Sequence, residues 1–133
     1  VRVLVTGSRD WQDRLAVYRA LNEVCNEHGL NYPPDEHGNT MPDPEKITVV
    51  HGACPTGADL WADEWCISNF FEAERYHAEW NRFGKRAGFL RNAQMVEDGA
   101  DLCLAFIKNE SKGASMTARL AEQAGIKTVR FVQ

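Results

Sequence analysis

Two short runs, 1–6 (VRVLVT) and 100–107 (ADLCLAFI), carry apolar side chains at nearly every position rather than at alternate ones. Side chains alternate across a strand, so runs of this kind must be buried on both faces. That is the condition of a strand inside a parallel sheet covered by helices. The segments between such runs carry the helical period instead. After Gly7-Ser8, positions Trp11, Leu15, Tyr18, Leu21 and Cys25 predict a first helix, with Asp10 as its N-cap and His28-Gly29 as its stop. Residues 46–51 (KITVVH) read as a second strand. A helix then opens at Pro55 or Thr56 and runs through Trp61, Trp65 and Cys66 to about residue 70. Residues 74–77 (ERYH) form a weak third strand and 85–98 a third helix. After the strand at 100–107, a fourth helix over 113–124 closes at Gly125, and 127–132 is the last strand.

This alternation predicts a mostly parallel five-stranded sheet with helices on both faces. At 133 residues, with 44% apolar and 26% charged side chains, the chain reads as one folded domain over 1–133. Trp11, Trp61 and Trp65 fall on apolar helix faces and read as core. Four of the five prolines lie in the segment 31–44 (NYPPDEHGNTMPDP), which has no periodicity. The region of about 31–45 is therefore a loop, read as mobile or as an insertion.

Fifteen Lys and Arg against nineteen Asp and Glu give a net charge of −4. Coating nucleic acid requires a basic face, so nucleic acid is a disfavoured partner, whereas a small phosphorylated ligand needs only a local positive pocket. No apolar stretch reaches membrane-spanning length, and VRVLVTGSRDW lacks the layout of a signal peptide, so no membrane association and a cytoplasmic location are expected. Cys25, Cys54, Cys66 and Cys103 have no CxxC spacing, so no metal site and no required cofactor are expected.

In open parallel sheets, ligands bind outside the carboxyl ends of the strands, where strand order reverses. The unusual residues of this chain gather in the turns that would lie there. Gly7-Ser8-Arg9 leads toward a helix whose first N–H groups lack partners; Gly7 allows close backbone approach, Ser8 can donate to phosphate, and Arg9 can pair with phosphate or stack on a base. The second turn, HGACPTGAD, places Gly52, Thr56, Gly57 and Asp59 between a strand and a helix. It lacks the Gly-Lys-Ser/Thr ending of a nucleoside-triphosphatase P-loop, and it still makes a backbone cradle. Asp59 suits the helix dipole or can accept from a ribose hydroxyl. His51 reads as a packed strand-end imidazole. Residues 80–92 are the one strongly basic segment, and within it Arg91 and Asn92 offer a fork-shaped donor beside an amide. The last turn carries Ser111, Lys112, Gly113 and Ser115.

VTGSRDW, HGACPTGAD, KRAGFLRNAQM and SKGASMTARLAEQAGI, in that order, resemble the motifs of the YspA/YpsA-related branch of the SLOG superfamily. The resemblance implies a Rossmann-like, three-layer α/β/α fold in a phage or bacterial protein, in the host cytoplasm if from a phage. It also implies a nucleotide or ADP-ribose-like ligand at the carboxyl edge of the sheet, frequently in a homodimer. The superfamily includes the cytokinin-activating LOG phosphoribohydrolases and the DNA-processing DprA proteins. By position it places phosphate-side contacts at Gly7, Ser8, Arg9, Gly52, Thr56, Gly57 and Asp59, a recognition pair at Arg91 and Asn92, and a second phosphate turn at Ser111, Lys112, Gly113 and Ser115. The hydrolase members carry a PGGxGTxxE turn whose glutamate works in glycosidic cleavage. Aligned on Gly113, this chain has Ala114 for the threonine, Glu110-Ser111 in the Pro-Gly region and no glutamate at the end of the motif.

Three readings follow. The first is a nucleotide-binding sensor or sequestering protein without turnover. The second is a nucleotide hydrolase, of the phosphoribohydrolase or N-glycosidase type, with Asp59 or Glu79 as acid or base. The third is an interaction module for single strands or proteins, drawing on the aromatic and basic residues of 80–91.

Overall fold

A computed structural model describes residues 1–133. Its elements are β1 (Arg2–Gly7), α1 (Arg14–Glu27), β2 (Thr48–His51), α2 (Gly57–Ser68), β3 (Glu74–Arg75), the single turn α3 (Trp80–Phe83), α4 (Ala87–Asp98), β4 (Leu102–Ile107), α5 (Lys112–Gln123) and β5 (Lys127–Val132). The sheet order is β3-β2-β1-β4-β5, and every pairing is parallel, as expected of a Rossmann-like α/β fold. The chain winds outward from β1 to β3, then crosses back over β1 to β4. Strand order therefore reverses between β1 and β4, and the carboxyl ends of those strands open the crevice where such folds take ligands. No helix is long and apolar enough to cross a membrane.

The consecutive apolar runs are buried as their pattern demands. All six residues of β4 are buried. Leu102, Leu104 and Phe106 join a core with Val3 and Val5 of β1, Val17 and Leu21 of α1, and Ala62 and Trp65 of α2. Cys103 packs on the opposite face with Leu4, with Met95 and Val96 of α4 and with Ala121 of α5, while Ala105 and Ile107 meet Ala114 and Ala118. One strand thus feeds both layers through its two-residue period.

Several boundaries differ from the sequence reading. α1 begins at Arg14 because Asp13, not Asp10, caps it, accepting from the Ala16 N–H at 3.1 Å. Trp11 precedes the helix and owes its burial to tertiary packing, its ring lying edge-on to Phe106 at 5.3 Å. Lys85 and Arg86 occupy a 3₁₀ turn (Gly84–Arg86) ahead of α4, so they share no helical face with Arg91. The segment 31–45 is a closed excursion: Asn31 and Pro42 form an antiparallel bridge, and the Asp35 carboxylate accepts from the His37 and Asn39 N–H groups.

Gly57 meets the tightest backbone approach in the fold. Its φ is +75°, and a Cβ there would lie 2.2 Å from the Ser8 carbonyl oxygen. The turns after β1 and β2 can touch only because that side chain is missing. Gly113 contrasts with it, since a Cβ there would meet nothing within 4 Å. Gly57→Ala should destabilise the fold by at least ~1–3 kcal/mol, whereas Gly113→Ala, inside a helix, should be neutral or stabilising by up to ~1 kcal/mol. Urea titration of the two variants against the parent chain measures both.

Candidate functional site

The turns after β1, β2 and β4 meet with the α3–α4 segment around a cavity of about 510 Å³. Arg9, Lys85, Arg91 and Lys112 line it, opposed by the carboxylates of Asp10 and Asp59. An acidic chain thus concentrates cations at the switch point of its sheet. A second cavity, of about 450 Å³, adjoins the first between the turn after β2 and His77-Ala78. Arg9, Cys54, Trp80 and Arg91 belong to the walls of both. The Arg9 guanidinium lies over the Trp80 ring, 5.8 Å from its centroid.

Helix capping separates site helices from the rest. α1, whose start lies outside the cavities, is closed by the Asp13 carboxylate. Thr56 and Ser111 stand at the N-caps of α2 and α5, and neither side chain makes a capping bond, although both residue types commonly do. The first turn of α5, at Lys112, Gly113 and Ala114, lines the larger cavity, and its amides lack a side-chain acceptor, an arrangement that attracts anions. The turns leading to these helices hold Ala53, Asn109 and Glu110 at positive φ, so backbone strain is concentrated at this edge.

Arg91 is seated by the backbone of the second turn. Its Nη1 donates to the carbonyl oxygens of Gly52 and Tyr76, and its Nε donates to Asn92 Oδ1 at 2.6 Å. A Cβ on Gly52 would fall 2.7 Å from the guanidinium carbon, so only glycine lets Arg91 lie flat there. Burial pulls the guanidinium below its usual value, against the nearby charge of Asp59. Asp59 lies in the first turn of α2 and is 6% exposed. Its Oδ2 accepts from the Cys54 N–H at 3.3 Å, and its Oδ1 is buried without a partner. Burial raises its carboxyl above the usual carboxylate range, although the His51 imidazole, the Cys54 N–H, the Arg91 charge and the Gly52 N–H pull the other way.

Of the residues singled out in the sequence, Gly7, Arg9, Asp59, Arg91, Asn92, Ser111, Lys112 and Gly113 line the larger cavity. Gly52 and Thr56 line the smaller one. Ser8, Gly57 and Ser115 line neither. Ser8 Oγ accepts from the Lys108 N–H at 2.8 Å and donates to the Lys108 carbonyl at 3.3 Å, stitching the turn after β1 to the end of β4. Gly57 serves the close approach to Ser8, and Ser115 already lies within α5. Gly7 also has a packing reason, since a Cβ there would fall 2.4 Å from that of Ala58.

His51 is held as a structural imidazole: Nδ1 accepts from the Ala53 N–H at 2.9 Å, and Nε2 therefore donates to Asp63 at 2.8 Å. Arg75 completes that pair at 2.8 Å. Burial would raise Asp63, but hydrogen bonds from Arg75 and His51 outweigh it and hold the carboxyl low. Glu79 pairs with Arg82 at 3.7 Å on the surface and lines neither of these two cavities. The sequence reading missed Asp10, which it took for a cap, and the apolar wall of Phe89, Met116 and Leu120. Leu120 reads as ordinary helix core because its period is the same as that of the residues facing the sheet.

The family model of the YspA, cpYpsA-related SLOG family matches residues 1–83, from β1 through α3. The chain belongs to that family. It is also similar to the Gene 61 protein of Mycobacterium phage D29, 38% identical over 135 residues, a match that covers 98% of this chain and 95% of that protein. This similarity extends past the family match to α4 and α5, which supply Arg91 and Lys112. No solved structure gives a significant match.

Two outcomes test the geometry. Because the Asp59 carboxyl is raised on folding, the native chain holds that proton more tightly than the unfolded one. The stability tied to the protonated form is present at acid pH and is lost as pH rises through the raised value. Asp59→Asn should therefore have a higher Tm than the parent at pH 7, and the difference should shrink toward pH ~4, near the ordinary carboxylate value; thermal melts at the two pH values read it. Burial pushes Cys25 up to about 11 and Cys66 and Cys103 up to about 12, whereas Cys54 is partly exposed in both cavity walls. A thiol reagent should label Cys54 quickly and the other three only on unfolding, as mass spectrometry of a timed reaction would show.

Proposed function

We propose that this chain binds a nucleotide or nucleotide derivative in the cavity at the carboxyl edge of the sheet, as a sensor or sequestering protein. Membership of the SLOG family supports nucleotide-related binding or processing at the coarse level. One observation carries the finer reading: the cationic cavity at the strand-order reversal is closed by an α5 amino end whose N-cap serine leaves the amides free. Phosphate sits over those amides and Lys112, and the base packs against the apolar wall or the Arg9–Trp80 pair.

Binding without turnover is favoured by the first turn of α5. The residue four positions after Gly113, where the hydrolases' GTxxE spacing has its glutamate, is Thr117, and its hydroxyl donates back to the Gly113 carbonyl at 2.9 Å. Neither that hydroxyl nor the Met116 thioether supplies a carboxyl acid or base. The hydrolase reading keeps one foothold, the raised and half-unpartnered carboxyl of Asp59.

A thermal-shift panel of nucleoside mono-, di- and triphosphates and dinucleotides, followed by chromatography of the recovered ligand, separates these readings. A ligand at 100 times its Kd should stabilise by about 2.7 kcal/mol. Lys112 is exposed, so Lys112→Glu should leave the fold intact while weakening binding about 10-fold or more, as loss of a charge-assisted bond does. Intact ligand supports the binding protein, a released base or phosphate replaces it with the hydrolase, and the absence of any shift rejects nucleotide binding.

A further inference from the structure

Asp59, in the wall of the larger cavity, has one polar atom whose requirement the folded chain leaves unmet. Asp59 Oδ1 is buried without a hydrogen-bond partner, while Oδ2 is engaged by the Cys54 N–H. Buried polar atoms in native proteins are paired, so an orphan beside a cavity points to a partner that arrives from outside.

The Gly52 N–H draws on this carboxylate without completing a hydrogen bond to Oδ1, and the other neighbouring groups do not supply one. Arg91 directs Nε and Nη1 to Asn92, Gly52 and Tyr76, and Asp59 takes part in no ion pair. His51 has both ring nitrogens engaged by Asp63 and Ala53. Beside the ionised carboxylate a phosphate oxygen cannot fill the role, because it is itself an acceptor and carries the same charge. A hydroxyl can, since it donates to Oδ1 and still has lone pairs for a donor such as the uncommitted Nη2 of Arg91. The anion-attracting wall lies on another element, at the amino end of α5 with Lys112. The cavity therefore offers an acceptor on α2 and a phosphate platform on α5, which matches a phosphorylated sugar that keeps a free hydroxyl.

We infer that Asp59 is a specificity-determining residue that accepts a sugar hydroxyl, so that the site takes ribonucleotides in preference to their deoxy counterparts. This inference rests on the nucleotide-binding reading above. It makes the sugar, rather than the base, the part of the ligand recognised at the most deeply buried charged group of the cavity wall.

Calorimetric titration of the folded chain with AMP, GMP, CMP and UMP, then with the 2′-deoxy and 3′-deoxy forms of each one that binds, tests it. Removing one of the two hydroxyls should weaken binding about 10-fold or more, the worth of a hydrogen bond to a charged group. Asp59→Asn should lose most of the ribo preference, because the bond to a charged acceptor is replaced by a neutral one. Equal affinity of the parent chain for all three sugar forms would overturn the inference and leave the nucleotide-binding reading standing. No binding of any nucleoside monophosphate would overturn the inference and leave the nucleotide-binding reading to the di- and triphosphates and dinucleotides of the panel above. If Asp59→Asn fails to fold, the comparison of sugars on the parent chain still decides.

Discussion

The rest of the molecule depends on the parallel pairing of β1 on both of its edges, with β2 on one side and β4 on the other. A strand so enclosed cannot leave the sheet except at its ends, and parallel neighbours must all deliver the chain to the same edge. The helix that follows each strand then starts at that edge, so the amino ends of α2 and α5 converge without any long-range steering. The cavity is a consequence of this topology before any side chain is chosen. What the side chains add is close approach: Gly57 against Ser8, Gly7 against Ala58, and Gly52 beneath Arg91.

The electrostatics of the site oppose those of the chain as a whole. A net charge of −4 keeps the surface poor in anion-binding potential, yet the cavity wall holds more cations than carboxylates. Within that wall Asp59 is the dissonant element, buried by the packing of α2 on the sheet and short of one donor. Desolvation acts on it against the pull of His51, of the Cys54 N–H and of Arg91, and desolvation dominates. The protein thus stores an unfavourable interaction in the wall of the cavity.

Much of this was legible in the sequence, for identifiable reasons. The strands 1–6 and 100–107 declared themselves because their apolar runs are too short for a buried helix and are bounded by turn residues. The turns were legible because small and polar residues cluster where backbone must face a ligand or another backbone. The sequence could not separate those two purposes. Gly57 and Ser8 look like phosphate contacts in a motif, and only the fold shows that they hold two turns together. Trp11 was assigned to a helix because its spacing from Leu15 is helical, whereas its burial comes from Phe106, far along the chain. The orphan oxygen of Asp59 depends on which donors Arg91 and His51 have already spent, and that is a property of three dimensions alone.

Arg9, Cys54, Trp80 and Arg91 form a common partition between the two cavities. A partition has one position at a time, so a guest that presses on it from one chamber redraws the chamber behind. Two guests would then feel each other without touching, and thermodynamic linkage makes the effect mutual: whatever the first does to the hold on the second, the second does equally to the first.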